Sequence, residues 1–255
     1  MVKGFTILFG LVMLALVLSG CGAGKVFAAQ EPTLTPTATP TLTLTPTMVP
    51  TATPTVTLTS TATSMATLPV EAYVENIHGH HQALPLDCEA SVAVDWAAHF
   101  GVTINEFDFQ HSLPISDNPD LGFVGYSTGP WGQIPPYAYG VHAAPVAAVL
   151  NNKYGLTAYG VKNFTLDQLR HELAAGRPVI AWIVGDLESG TPVLYTDSKG
   201  NQTIVAPYEH VIMVTGYDAN YIYYLNEQHA FRIETKYFMR SWKVLGYMVV
   251  YRGDQ

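Results

Sequence analysis

Gln82, Cys88, His210 and Asn226 are the residues whose types and order in this chain suit nucleophilic chemistry. A thiol attacks a carbonyl as its thiolate, and a helix N-terminus or a neighbouring imidazole can lower its pKa far enough to supply one. Cys88 follows Asp87, a good N-cap type, and opens a segment to Phe100 whose Ala90, Val94 and Ala97 share an apolar face before Gly101 can end it. The spacing therefore predicts a helix over 88–100 with the thiol at its start. The sequence holds two cysteines. Cys21 falls in an N-terminal export signal, so Cys88 is expected to be the free thiol of the mature protein. A lone exported cysteine is packing, a cross-linking site or a chemical tool.

An imidazole must come from one of nine histidines. His210 is the best placed, because it heads the β-rich run His210-Val-Ile-Met-Val-Thr-Gly216. That run and Tyr221 to Leu225 flank Asp218-Ala-Asn220, a strong hairpin signal. The hairpin puts His210 opposite a position between Asn226 and Gln228, so Asn226 or Glu227 can orient its ring. Nucleophile, base and orienter together are the parts of a thiol hydrolase. Gln82, a few residues before Cys88, can donate to an oxyanion beside the Cys88 backbone N–H, which has no acceptor at a helix start. Taken singly, each residue has an ordinary structural use; the joint spacing carries the reading.

These residues need elements to hold them. Ala143 to Tyr154 is a predicted helix ending at Gly155, and Leu156 to Val161 a strand. Thr165-Leu-Asp-Gln168 is a capping box opening a helix that Gly176 closes. Pro178 leads into a buried strand, Val179 to Val184. Thr191 to Ala206 reads as a hairpin turning at Ser198 to Asn201, Lys236 to Trp242 as a short helix, and Gly246 to Tyr251 as a final strand. Helices early and antiparallel strands late indicate an α+β fold. Ser112 to Gly140 is a long Gly/Pro-rich loop. Its Trp131 and nearby tyrosines suit either a substrate groove or a packed Ω-like loop. His78-Gly-His80-His81 has the composition of a flexible metal site, but no Cys or carboxylate accompanies it at a standard spacing, and a solvated approach to the site is the simpler reading.

The N-terminus sets the address. Lys3, the apolar run Phe5 to Leu18 and Leu18-Ser19-Gly20-Cys21 form a signal with a lipobox, so residues 1–21 are read as a lipoprotein signal and Cys21 as the lipidation site. The apolar run is short for a membrane span. Residues 22–69, dominated by Thr and Pro, lack the periodicity to bury a core and form an extended linker. It can hold a domain on the order of 100 Å from a bilayer. Residues 70–255 are the folded domain. The chain is thus expected on a bacterial cell membrane, lipid-anchored, with its domain on the extracytoplasmic side. The formal net charge is −8, with no basic stripe, which argues against a nucleic-acid partner.

Gln82-x5-Cys88, the helix ending in Phe100-Gly101, His210-x5-Gly216-Tyr217-Asp218 and the strand Ile222 to Asn226 resemble the C39-like cysteine peptidases. Asp117 to Gly125, Tyr139-Gly-Val-His142, Gly176-Arg-Pro-Val179 and Ser241-Trp242 are similar to its exported branch, so the resemblance covers residues 75 to 251. It implies a papain-like fold, with N-terminal helices packed on a mostly antiparallel sheet. It also implies Cys88 as nucleophile, His210 as base and Gln82 as oxyanion donor. The family's third residue is usually Asp; an ungapped count lands on Asn226, with Glu227 next to it. Glu89 stands where the family often has Gly, and an acid there opposes thiolate formation if it points inward.

The expectation is a membrane-tethered cysteine peptidase acting on a peptide or protein, with no cofactor or metal needed. The alternatives are a weak or inactive peptide- or cell-wall-binding module, or an acyltransferase using the same acyl-enzyme.

Overall fold

The structure, a computed structural model, describes residues 67–253. In chain order these form β1 (Ala72–Tyr73), α1 (Cys88–His99), α2 (Glu106–Gln110), α3 (Ala143–Tyr154), β2 (Tyr159–Val161), α4 (Leu166–Ala174), β3 (Val179–Val184), β4 (Val193–Thr196), β5 (Gln202–Val205), β6 (Glu209–Tyr217), β7 (Tyr221–Asn226), β8 (His229–Glu234), α5 (Thr235–Val244) and β9 (Val249–Tyr251). The lipobox with Cys21, and all but the end of the Thr/Pro linker, lie outside the described residues.

All six residues of β3 are buried. An unbroken apolar strand needs cover on both faces of its sheet, and it has it. The sheet runs β2-β9-β3-β6-β7-β8, with β1 added to β6, and its strand pairs are antiparallel. Because side chains alternate along a strand, Ile180, Trp182 and Val184 of β3 join Val211 and Met213 of β6 on one face. There they meet Ala90, Val94, Trp96 and Ala97 of α1 and Val146 and Leu150 of α3. Val179, Ala181 and Ile183 face the other way with Ile212 and Val214, against Leu169 and Leu173 of α4 and Phe238 and Trp242 of α5. The strands β4 and β5 form a separate ribbon. The architecture is the expected α+β arrangement of helices on a mostly antiparallel sheet.

Local signals set most boundaries. Thr165 accepts from the Gln168 N–H and Gln168 answers at the Thr165 N–H, the capping box of α4. Gly155 ends α3 in the left-handed region at φ 68°, where a side chain would be strained. Asp87 precedes α1 as expected but makes no cap bond. Its carboxylate accepts instead from the Leu84 N–H at 3.0 and 3.1 Å, which draws the chain back over the helix start. Three elements were not anticipated: β1, α2 and β8. The last is largely exposed. It follows β7 through a two-residue turn, with Asn226 paired to His229 and Glu227 at φ 52°. Such turns normally announce themselves with Asn-Gly or Asp-Gly; Glu227-Gln228 does not.

Candidate active site

Cys88 is the first residue of α1 and is 5 % exposed. Its Sγ donates to Glu89 Oε2 at 3.3 Å. Glu89 points inward, buried, and its Oε1 accepts the Val141 N–H at 2.6 Å. The loop before Val141 must come close for this. A Cβ on Gly140 would lie 2.3 Å from Glu89 Oε1, and φ there is +122°, so glycine alone suits the position.

His210 is the second residue of β6 and pairs with Ile183 of β3. Its Nε2 donates to Asn226 Oδ1 at 2.8 Å. Met213 faces Leu225, and continuing that register makes His210 and Asn226 diagonal neighbours across β6 and β7. With the proton on Nε2, Nδ1 keeps the lone pair a base requires. Glu227 is engaged elsewhere, with His81 Nδ1. Trp131 donates from Nε1 to the Glu209 carbonyl at 2.8 Å and sets its ring edge-on to His210, centroids 6.2 Å apart.

Gln82, Cys88, His210 and Asn226 all line one cleft of about 380 Å³, together with Trp131 and Asp186. Three distant parts of the chain thus converge. The Gln82 amide is turned onto the Leu84 carbonyl at 2.7 Å, so it must swing round to meet an oxyanion. Its segment is pinned from outside: His80 Nδ1 bonds Asp95 at 2.7 Å, His80 Nε2 bonds Glu106 at 3.1 Å, and Glu106 also accepts the Ala83 N–H at 3.1 Å. The His78–His81 run is a solvated approach, as expected, with the His81 side chain 72 % exposed, but it is anchored and not loose. Its His80 and His81 are tied to carboxylates of three other segments.

Electrostatics oppose a standing thiolate. Burial pushes the Cys88 thiol well up, and the carboxylates of Glu89, Glu209 and Asp87 push it further. Burial also raises Glu89 to about 7, against the pull of the Val141 N–H, and Asp87 to about 7. Glu209 is raised by burial and by Glu89. His210 is lowered by burial, with Asn226 acting the other way. Burial thus favours the uncharged form of both groups, against the lowering expected from the helix terminus. Adjacent residues of β6 point opposite ways: His210 into the cleft, Glu209 toward Glu89 and Gly140. Sequence reasoning noticed Glu89 and offered Trp131 as a groove residue, which it is, but missed Glu209 and the His80 clamp. Glu209 is next to His210 in sequence, but no spacing rule connects it to Glu89.

Residues 73–249 match the model of the Peptidase_C39 like family. The chain belongs to this family of cysteine peptidases. A crystal structure of a Bacillus anthracis protein assigned to the C39-like peptidases superposes with a TM-score of 0.63 at 17 % identity, covering 72 % of this chain and 98 % of that one. The likeness shows the C39-like fold. Xylellain, a cysteine protease from Xylella fastidiosa, aligns at 14 % identity over 74 % of this chain and 87 % of its own, with a TM-score of 0.39 that carries no weight here. The uncharacterized protein YvpB of Bacillus subtilis is 28 % identical over 147 residues, 55 % of this chain and 54 % of YvpB. The chain thus spans about half the length of that curated relative. In this C39-like domain Cys88, His210 and Asn226 line one cleft, and the Asn226 side chain bonds the His210 ring.

Proposed function

We propose that this chain is a peptidase in which Cys88 attacks a peptide carbonyl, His210 takes its proton and Asn226 holds the imidazole. The observation that carries this reading is the His210–Asn226 bond on a cleft that Cys88 also lines. Burial disfavours the charged form of both groups, so in this reading the Cys88 proton passes to His210 Nδ1 as the sulfur attacks. The oxyanion is received by the Cys88 N–H and by the Gln82 amide after it leaves Leu84. His210 then protonates the leaving amine, and water releases the acyl group from sulfur. The substrate is a peptide or protein, as family membership implies.

Incubating the full chain with a mixed peptide library, beside Cys88→Ala, tests this. New termini in the first and none in the second are expected; equal cleavage in both, or none in either, removes the proposal. Cys88→Ser is expected to abolish cleavage with a Tm within a few degrees of the parent.

A second reading, a peptide-binding module with weak chemistry, is favoured by one observation: the thiol rests on Glu89. It requires Cys88→Ala to bind peptide as the parent does while neither cleaves it.

We also propose that Cys21 carries the lipid and that residues 22–69 hold the domain away from the membrane on its extracytoplasmic side. The supporting feature is the Leu18-Ser19-Gly20-Cys21 box. Membrane fractionation of Cys21→Ser is expected to release the chain; continued membrane retention would count against the anchor.

A further inference from the structure

Glu209 has no part in the chemistry above, yet one of its carboxyl oxygens is left without a partner beside Cys88. It is 3 % exposed, and its Oε1 is buried with no hydrogen-bond partner. A buried carboxyl oxygen without a partner is costly, since nothing replaces the water it gave up, and such a group carries its charge only when a donor or a cation pairs it. Cys88 and Glu89 lie beside it. One donor atom from each of the three falls within 4.8 Å of the others, and all three residues are buried. Among the described residues, only these bring three such donors together. The missing side chain of Gly140 keeps the space open: a Cβ there would stand 2.3 Å from Glu89 Oε1 and 3.2 Å from Glu209 Oε2.

We propose that Cys88, Glu89 and Glu209 form a site for one thiophilic divalent cation of the zinc class, which holds the nucleophile in reserve. The donor set is one thiolate and two carboxylates. Sulfur selects zinc or cadmium over magnesium or calcium, which prefer oxygen throughout. Donors around a tetrahedral zinc stand roughly 3.5 Å apart, so the trio closes on the ion by moving about 1 Å. Cys88 Sγ and Glu89 Oε2, at 3.3 Å, are already at that spacing. Coordination releases the thiol proton, with any proton on Glu89 and Glu209, to solvent and uses the sulfur lone pair for the metal. While the ion is bound, Cys88 cannot attack a carbonyl. Binding itself is independent of the peptidase reading; only the reserve role rests on it.

The test uses the full chain carrying Cys21→Ser, so that Cys88 is the one thiol, titrated with cadmium and followed by the ultraviolet sulfur-to-cadmium charge-transfer band. One equivalent is expected to bind, Cys88→Ser to abolish the band, and Glu209→Gln to weaken affinity about tenfold or more. His210→Ala is expected to leave affinity within about twofold. No band, an unchanged affinity in Glu209→Gln, or a loss in His210→Ala equal to that in Cys88→Ser would overturn the site; the last result would put the ion in the cleft instead. Should Glu209→Gln fail to fold, zinc-edge X-ray absorption of the otherwise native chain decides. One sulfur with oxygen donors supports the site, and imidazole scattering overturns it. None of these readouts needs peptide hydrolysis, so they stand even where the peptidase reading fails. Protection of Cys88 from alkylation by zinc, with none by magnesium, is the expected sign of the reserve role; unchanged alkylation at saturating zinc would remove it.

Discussion

Cys88 and Glu89, neighbours in sequence, share a hydrogen bond of 3.3 Å that gives the resting thiol a carboxylate partner at the mouth of α1. Helical side chains one residue apart usually diverge. Here both turn toward the same buried space, because the Val141 N–H draws the Glu89 carboxylate inward at 2.6 Å. The consequence is a thiol whose proton is held by a carboxylate, Glu89.

Glu89→Gln should therefore make the thiol more reactive. Glutamine keeps an oxygen for Val141 and removes the negative charge that raises the thiol. With a chelator present, alkylation at neutral pH is expected to speed up by about threefold to tenfold, since the thiolate fraction follows the pKa. An unchanged rate would mean that burial alone sets the thiol.

Asn226→Ala should lower kcat/KM by about 100-fold or more, by freeing the imidazole to turn and exchange tautomers. Glu227→Gln should change kcat less than about threefold, because Glu227 is engaged with His81 and not with His210. Steady-state kinetics on one cleaved peptide separates them; a larger loss in Glu227→Gln would reverse the assignment of the orienting residue.

Gln82→Ala should lower kcat by about 100-fold with a small change in KM, as loss of one oxyanion donor does. The Gln82 amide rests on the Leu84 carbonyl and is not committed to the ground state. A loss confined to KM would make Gln82 a binding residue only.

Stability should carry the titration of His80. Burial works to lower its pKa, but the bonds to Asp95 and Glu106 prevail and raise it above 6.5. The folded protein then holds this proton more tightly than the unfolded chain. That stabilisation is fully present below pH 6.5 and is lost as pH rises through the folded value. The side chain is 41 % exposed, so the contribution is under about 1 kcal/mol. His80→Asn should show a smaller fall in Tm between pH 6 and 8 than the parent; identical slopes would show that the clamp is not charged.

Much of the layout was legible in one dimension, where short-range rules apply. The buried run Val179 to Val184, the Thr165–Gln168 capping box and the hairpin at Asp218 to Asn220 each depend on residues a few places apart. The exposed strand β8 was not legible, since its turn lacks glycine and its side chains have little core to follow.

The sequence by itself determined the order of Gln82, Cys88, His210 and Asn226 and the elements that carry them, because periodicity and turn chemistry are local. Tertiary structure alone decided the charge around the sulfur. Glu209 reaches the neighbourhood of Cys88 only when β6 pairs with β3 beneath α1, and Glu89 turns inward only when Gly140 and Val141 close over it. Burial and through-space Coulomb interactions depend on that folding and on no spacing along the chain.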